Sequence, residues 1–134
     1  MNFVSIRLIT NNVANLVQFY EQITNLTAIR YTEDFAELKI PSCTIAIAST
    51  RTIKAFGSEG IHAANNNSTI IEFFVEDVDK TFDQLRKIVN TFVMEPTTMP
   101  WGNRSILFKD PDGNLINFFT PTSEEALKRF TKPE

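Results

Sequence analysis

A register that recurs after 65 residues is the strongest constraint on this chain. Val13 and Val78 each open an apolar pattern at helical spacing, with Tyr20 and Leu85 following, so 78 − 13 and 85 − 20 both give 65. The same offset pairs Asn12 with Asp77, Ser5 with Ile70 and Arg7 with Glu72. A strand, a cap and a helix shared in register over about twenty positions imply two copies of one supersecondary unit.

The elements of each copy follow from local chemistry. Phe3 to Thr10 alternates, with Val4, Ile6 and Leu8 on one face and Ser5, Arg7 and Ile9 on the other, which predicts a strand. Asn11-Asn12 can cap a helix carrying Val13, Leu16, Val17, Tyr20 and Ile23, ended by Thr24-Asn25. Three β-rich runs come next, Ala28 to Thr32, Phe35 to Ile40 and Thr44 to Ser49, with turns at Glu33-Asp34 and Pro41-Ser42. Residues 51–67 read as a linker, with room for one helical turn around Ile53 to Phe56.

The second copy starts with a strand over Thr69 to Glu76, placing Ile71, Phe73 and Val75 on one face and Ile70, Glu72 and Phe74 on the other. Asp77 can cap a helix bearing Val78, Phe82, Leu85, Ile88 and Val89, followed by a strand over Phe92 to Glu95 and a loop from Thr97 to Gly102. A hairpin then spans Arg104 to Phe119. Its turn, Asp110-Pro111-Asp112-Gly113-Asn114, combines a fixed φ at Pro111, carboxylates that bond backbone amides, and a glycine that tolerates positive φ. A terminal helix over 122–134 begins at a cap from Thr122 or Ser123. Each copy is thus β-α-β-β-β, and the units 1–50 and 68–121 build a single α+β domain over 1–134.

Composition narrows the partners. With 43% hydrophobic residues, twelve of them Phe, the chain has material for a core and for an apolar cavity. A net charge of −3 without basic clusters disfavours nucleic acid and anionic membrane. The N-terminus has neither a signal-peptide pattern nor a membrane span. The single Cys43 cannot form an internal disulfide, which points to a reducing, cytoplasmic setting, and no basic neighbour marks it as a nucleophile.

The tandem units, the Phe19-Tyr20 pair in the first helix, and Trp101-Gly102 ahead of the Asp110-Pro111-Asp112-Gly113-Asn114 hairpin resemble the vicinal oxygen chelate superfamily. That superfamily holds the glyoxalase, bleomycin-resistance and extradiol-dioxygenase proteins. The resemblance covers nearly the whole chain. It implies the glyoxalase/bleomycin-resistance fold: curled mixed sheets around a cavity, within one chain or across a homodimer, with the helices outside. It also implies, for members that do chemistry, a divalent metal held by His or Glu on the first and fourth strands of each unit.

By register those ligand positions fall on Ser5, near Ala46, on Ile70 and on Asn117. Two are hydrocarbon and two are weak neutral donors, so no metal and no other cofactor is expected. Glu72 is the one carboxylate near enough to serve, and Arg7 at the matching position suggests an Arg7–Glu72 ion pair instead. His62, the sole histidine, lies in the linker and reads as a surface residue. Neither a Ser-His-Asp nor a Cys-His constellation can be assembled around it, and Gly57 and Gly60 lack a phosphate-loop context.

The expected ligand contacts are Arg7, Glu72, Phe74, Trp101, Asn103, Leu115, Asn117 and Phe119. Trp101 can wall a planar ligand or anchor its loop, and Tyr20 reads as helix-to-sheet packing. Glu33, Asp34 and Glu37 read as a solvated acidic edge. The sequence leans toward a metal-free binder of a hydrophobic or aromatic small molecule over an enzyme. The alternatives are a metal-dependent lyase, isomerase or dioxygenase with displaced ligands, and metal-free acid-base chemistry with Glu72 as the base. Sheet edges that would otherwise stay open, together with the resemblance, imply a homodimer.

Overall fold

The computed structural model describes residues 1–57 and 60–130. Two residues of the predicted linker and the last four of the predicted terminal helix, 131–134, lie outside them. The chain divides into two compact units, one of residues 1–67 with the turn 110–113, the other of residues 68–109 and 114–134.

In unit 1, β1 (Ser5–Thr10), α1 (Val13–Thr24), β2 (Ile29–Thr32), β3 (Phe35–Ile40) and β4 (Cys43–Ser49) follow in order, and a 3-10 helix spans Thr50–Phe56. The sheet order is β1-β4-β3-β2. β1 runs parallel to β4, while β4–β3 and β3–β2 are antiparallel. The parallel pair requires a crossover, and α1 is part of it. Asn12 caps α1 by accepting a bond from the Asn15 amide at 3.0 Å. Asn25 ends it in the left-handed conformation, φ 58°, a state Asn tolerates better than most residues. Leu16, Val17, Tyr20 and Ile23 of α1 are buried, as are Ala36 and Leu38 of β3 and Ile45 and Ile47 of β4. This layer is largely aliphatic.

Unit 2 repeats the order with β5 (Ile70–Phe74), α2 (Val78–Leu85), β6 (Phe92–Thr98), β7 (Asn103–Lys109) and β8 (Leu115–Pro121), followed by α3 (Glu124–Phe130). Its sheet order, β5-β8-β7-β6, matches the first. Asp77 caps α2 through the Lys80 amide, and the Ser123 hydroxyl accepts from the Ala126 amide in the first turn of α3. Aromatic rings fill the layer beneath α2. Phe82 lies 4.8 Å from Phe92, Phe92 5.9 Å from Phe108, and Phe118 5.2 Å from both Phe108 and Phe73, all edge-on. Edge-to-face rings satisfy each other's quadrupoles, so a core of Phe packs without stacked repulsion.

β1 begins at Ser5 instead of Phe3 and β5 ends at Phe74 instead of Glu76, and two further boundaries depart more from expectation. α2 stops at Leu85, because the Lys87 and Ile88 amides bond back only three residues, to Gln84 and Leu85. This tighter turn buries Val89 but leaves Ile88 37% exposed. β6 continues through Thr98 instead of giving way to a loop after Glu95. Pro96 removes an amide donor, and the register shifts between Met94 and Thr97 absorb it. That is tolerable because β6 is an edge strand. Among the described residues no helix is long and apolar enough to cross a membrane.

Candidate functional site

Strand pairing places the expected site residues. In unit 1, Arg7 on β1 and Glu37 on β3 flank Ala46 on β4. The Arg7 guanidinium lies over two rings, 5.0 Å from the centroid of Phe35 and 5.4 Å from that of Phe56. Tyr31 on β2 sits 5.7 Å from Phe35. A hydrogen bond to Glu37 raises the Tyr31 phenol above its ordinary value.

In unit 2, Glu72 on β5 is the direct neighbour of Asn117 on β8, and the Asn117 Nδ2 donates to Glu72 Oε2 at 2.8 Å. Its Oδ1 is buried with no hydrogen-bond partner. Phe74 and Phe119 are neighbours one step along, with ring centroids 6.0 Å apart. Phe130 of α3 closes on them, 4.8 Å from Phe119 and 6.4 Å from Phe74. Leu115 pairs with Ile70 on the same face.

The structure therefore gathers Glu72, Phe74, Leu115, Asn117 and Phe119 on one sheet face of unit 2. Asn103 joins that face from β7, opposite Pro121, buried and with its Oδ1 also unpartnered. Trp101 is 61% exposed in the turn between β6 and β7. Among the described residues the ring contacts of Arg7 lie in unit 1 and the amide bond to Glu72 lies in unit 2, and no ion pair of the kind expected between Arg7 and Glu72 is present.

Sequence reasoning missed several contacts. Phe35 shares a face with Glu37 by alternation and could have been found. Phe56 could not, since only the 3-10 helix brings it to Arg7. The acidic edge is also less free than expected. Asp34 accepts from Arg51 Nε at 2.6 Å and from the Ser49 hydroxyl at 2.8 Å, bonds that in this order hold its carboxyl below the ordinary range.

Tyr20 does more than pack. Its hydroxyl donates to Asp110 Oδ2 at 2.7 Å inside unit 1, and both residues are buried. Burial first, then the Asp110 charge and the hydrogen bond itself, push the Tyr20 phenol far above its usual range. Asp110 Oδ1 takes the Asp112 amide at 3.0 Å, and the Asp110 carbonyl takes the Gly113 amide at 3.0 Å. Asp110 thus organises the turn through both its carboxylate and its carbonyl.

A family model for the glyoxalase/bleomycin resistance protein/dioxygenase superfamily matches residues 2–118. The chain belongs to that superfamily. A Bacillus subtilis relative, the uncharacterized protein YraH, is 29% identical over 126 residues, covering 89% of this chain and 98% of its own. Solved structures agree on the fold. A glyoxalase/bleomycin resistance protein/dioxygenase family enzyme from Burkholderia phytofirmans superimposes with a TM-score of 0.80 at 15% identity, covering 90% of this chain and 99% of that one. A glyoxalase/bleomycin resistance protein/dioxygenase from Nocardioides gives 0.79 at 19% identity, covering 100% of this chain and 88% of that one.

Superfamily membership implies a divalent metal in members that do chemistry, so the donor set needs testing against one. Ser5 pairs with Thr44, Ala46 with Arg7, and Ile70 with Leu115. Asn117, the remaining position, has its amide nitrogen committed to Glu72. Neither Ser5 and Ala46 in unit 1 nor Ile70 and Asn117 beside Glu72 in unit 2 supply the imidazole or several carboxylates that such a cation prefers. Among the described residues no three His, Cys, Asp or Glu gather. His62 is exposed, away from any such group.

Proposed function

We propose that this superfamily member is a binding module that holds a hydrophobic or aromatic small molecule without a chelated metal. The observation that carries the reading is the donor set at the metal-ligand positions, Ser5, Ala46, Ile70 and Asn117. The aromatic faces supply the complement. Phe74 is 56% exposed beside Phe119, and Phe56 is 60% exposed over Arg7, so flat apolar surface is available to a guest. The contacts proposed for a guest are Arg7 on the face of unit 1 and, on that of unit 2, Glu72, Phe74, Trp101, Asn103, Leu115, Asn117 and Phe119, each unit taken by itself. The protein acts as a homodimer in a reducing, cytoplasmic compartment, where its one thiol, Cys43, stays free.

A second reading, a lyase, isomerase or dioxygenase with displaced metal ligands, draws on one observation. The Asn117 Oδ1 is buried, unpartnered and adjacent to a carboxylate. Elemental analysis of purified protein separates the two. Less than about a tenth of an equivalent of Zn, Ni, Mn or Fe per chain is expected, and near-stoichiometric metal that Glu72→Gln abolishes overturns the binding module. Native mass spectrometry of the same sample is expected to show an adduct of a few hundred daltons carried from expression.

A further inference from the structure

Arg7 is treated unlike the arginines that pair with acids. Arg30 reaches Glu21 at 2.7 Å, Arg51 reaches Asp34 at 2.5 Å, and Arg104 reaches Asp79 at 2.9 Å. Among the described residues Arg7 has no hydrogen-bond acceptor and no carboxylate, only the rings of Phe35 and Phe56. Arg86 and Arg129 also lie over rings, but each over one ring from its own stretch of chain, Phe82 and Phe130. Arg7 on β1 is held by two rings from two separate elements, β3 and the 3-10 helix.

That arrangement orients the group. A ring attracts a guanidinium through its π face and accepts none of its in-plane N–H bonds. The rings therefore hold the cation while leaving its donor fork unsatisfied by the described residues. A guanidinium fork matches a planar carboxylate bidentately, and Arg7 is exposed, so the fork is open to a guest.

The neighbouring charges set the ligand's own charge. Glu37 shares the face, flanking Ala46. Lys39 lies one step further along β3, beside Thr44. Arg7 and Lys39 against Glu37 leave a balance of 2 − 1 = +1, which suits a monoanion better than a phosphate dianion. Phe35, Phe56 and Tyr31 border the fork with apolar surface for the rest of the molecule.

We propose that Arg7, bracketed by Phe35 and Phe56, is the recognition group for an aromatic or apolar monocarboxylate. The proposal rests on the binding-module reading and names the class of guest. It adds an electrostatic requirement that the reading alone does not contain.

The test is calorimetric titration of the full chain with naphthoate and with its uncharged counterpart, naphthylmethanol. Wild type is expected to bind naphthoate at least about tenfold more tightly, roughly 1.4 kcal/mol. Arg7→Gln should remove the preference, so that the variant binds naphthoate and the alcohol equally, with an unchanged circular dichroism spectrum and thermal midpoint certifying its fold. Arg7→Lys should recover only part of the difference, because it restores charge without the planar fork. Phe56→Leu should weaken naphthoate severalfold with Arg7 intact. Equal binding of both probes by wild type overturns the carboxylate assignment and leaves the binding module standing. Binding of neither overturns both. Displacement of naphthoate by equimolar inorganic phosphate overturns the assignment in favour of a general oxyanion site.

Discussion

Units 1 and 2 share one strand order and one crossover, yet equivalent positions carry opposite chemistry. Arg7 and Glu72 lie 72 − 7 = 65 residues apart, each on the first strand of its unit and each beside a fourth-strand residue. In unit 1 that neighbour is Ala46, which has no polar atom to offer, and the guanidinium settles on rings. In unit 2 it is Asn117, and the carboxylate accepts an amide bond at 2.8 Å. The fold fixes which side chains are adjacent. What they do depends on the adjacent strand, so a shared register does not transmit a shared site.

The same contrast runs through the backbone, and two glycine substitutions test it with the largest expected effect. Gly102 has φ 92°, and a Cβ there would meet the Ser123 Oγ at 1.9 Å and Cβ at 2.6 Å. Its carbonyl accepts from the Thr122 and Ser123 amides at 2.8 and 3.1 Å, so the clash falls on the start of α3. Gly102→Ala should destabilise by roughly 2–4 kcal/mol, read as a lower denaturation midpoint. Gly57 in unit 1 is also left-handed, φ 61°, but a Cβ there meets nothing within 4 Å. Gly57→Ala should cost only about 1 kcal/mol, the conformational strain alone. Hydrogen exchange should place the Gly102→Ala loss in unit 2; equal loosening of unit 1 would break the comparison.

Tyr20→Phe probes the buried polar tie that the Phe-filled layer of unit 2 does without. Removing the hydroxyl leaves the buried Asp110 short of a donor at 2.7 Å, a loss of about 1–3 kcal/mol. The pH dependence identifies it. The Tyr20 phenol is raised above its unfolded value of 10.0, so the folded state keeps a proton that the unfolded state loses. Stability from this group is complete below pH 10.0 and falls as pH rises beyond it, by up to about 1.4 kcal/mol per unit. Wild type should therefore lose stability faster than Tyr20→Phe above that point. Parallel curves would mean that the phenol ionises freely in the native state.

These tests mark where the sequence was legible. Asn12, Asp77 and Asn25 declared the helix ends because short polar side chains bond or bend the backbone locally. Strand alternation put Phe74 and Phe119 on inward faces, but that Glu72 neighbours Asn117, and Phe74 Phe119, followed only from the strand pairing. The Tyr20–Asp110 bond spans 90 residues, and no local pattern encodes such a contact. The Arg7 stack needed the 3-10 helix Thr50–Phe56, where the sequence shows room for a helical turn around Ile53 to Phe56 but not what that turn packs against. The Pro96 bulge was hidden because a proline looks the same at a tolerant edge as at a strand end. Local physics could be read directly, whereas contacts formed by chain reversal needed the coordinates.

The smallest predicted effect separates the units again, through the carboxylate each helix sends to an arginine of its sheet. Glu21 of α1 accepts from both terminal nitrogens of Arg30, at 3.1 and 2.7 Å, and also from the Ala28 amide at 2.8 Å. Asp79 of α2 receives only the Arg104 Nε, shared between its oxygens at 2.9 and 3.1 Å. Their side chains are 21% and 56% exposed. The Arg30 bond, then the Ala28 amide, hold the Glu21 carboxyl below its ordinary 4.5. A lowered carboxyl contributes stability above its unfolded value and loses it as pH falls through the folded one. Glu21→Gln should thus cost under about 1 kcal/mol at neutral pH, after allowance for solvent screening. The gap from wild type should close as the solution is acidified below 4.5. Asp79→Asn should cost less, since one shared, exposed donor without a backbone partner is readily replaced by water. Thermal melts of the two variants across pH decide it. Equal losses would show that neither the paired guanidinium nitrogens nor the Ala28 amide distinguishes the first helix from the second.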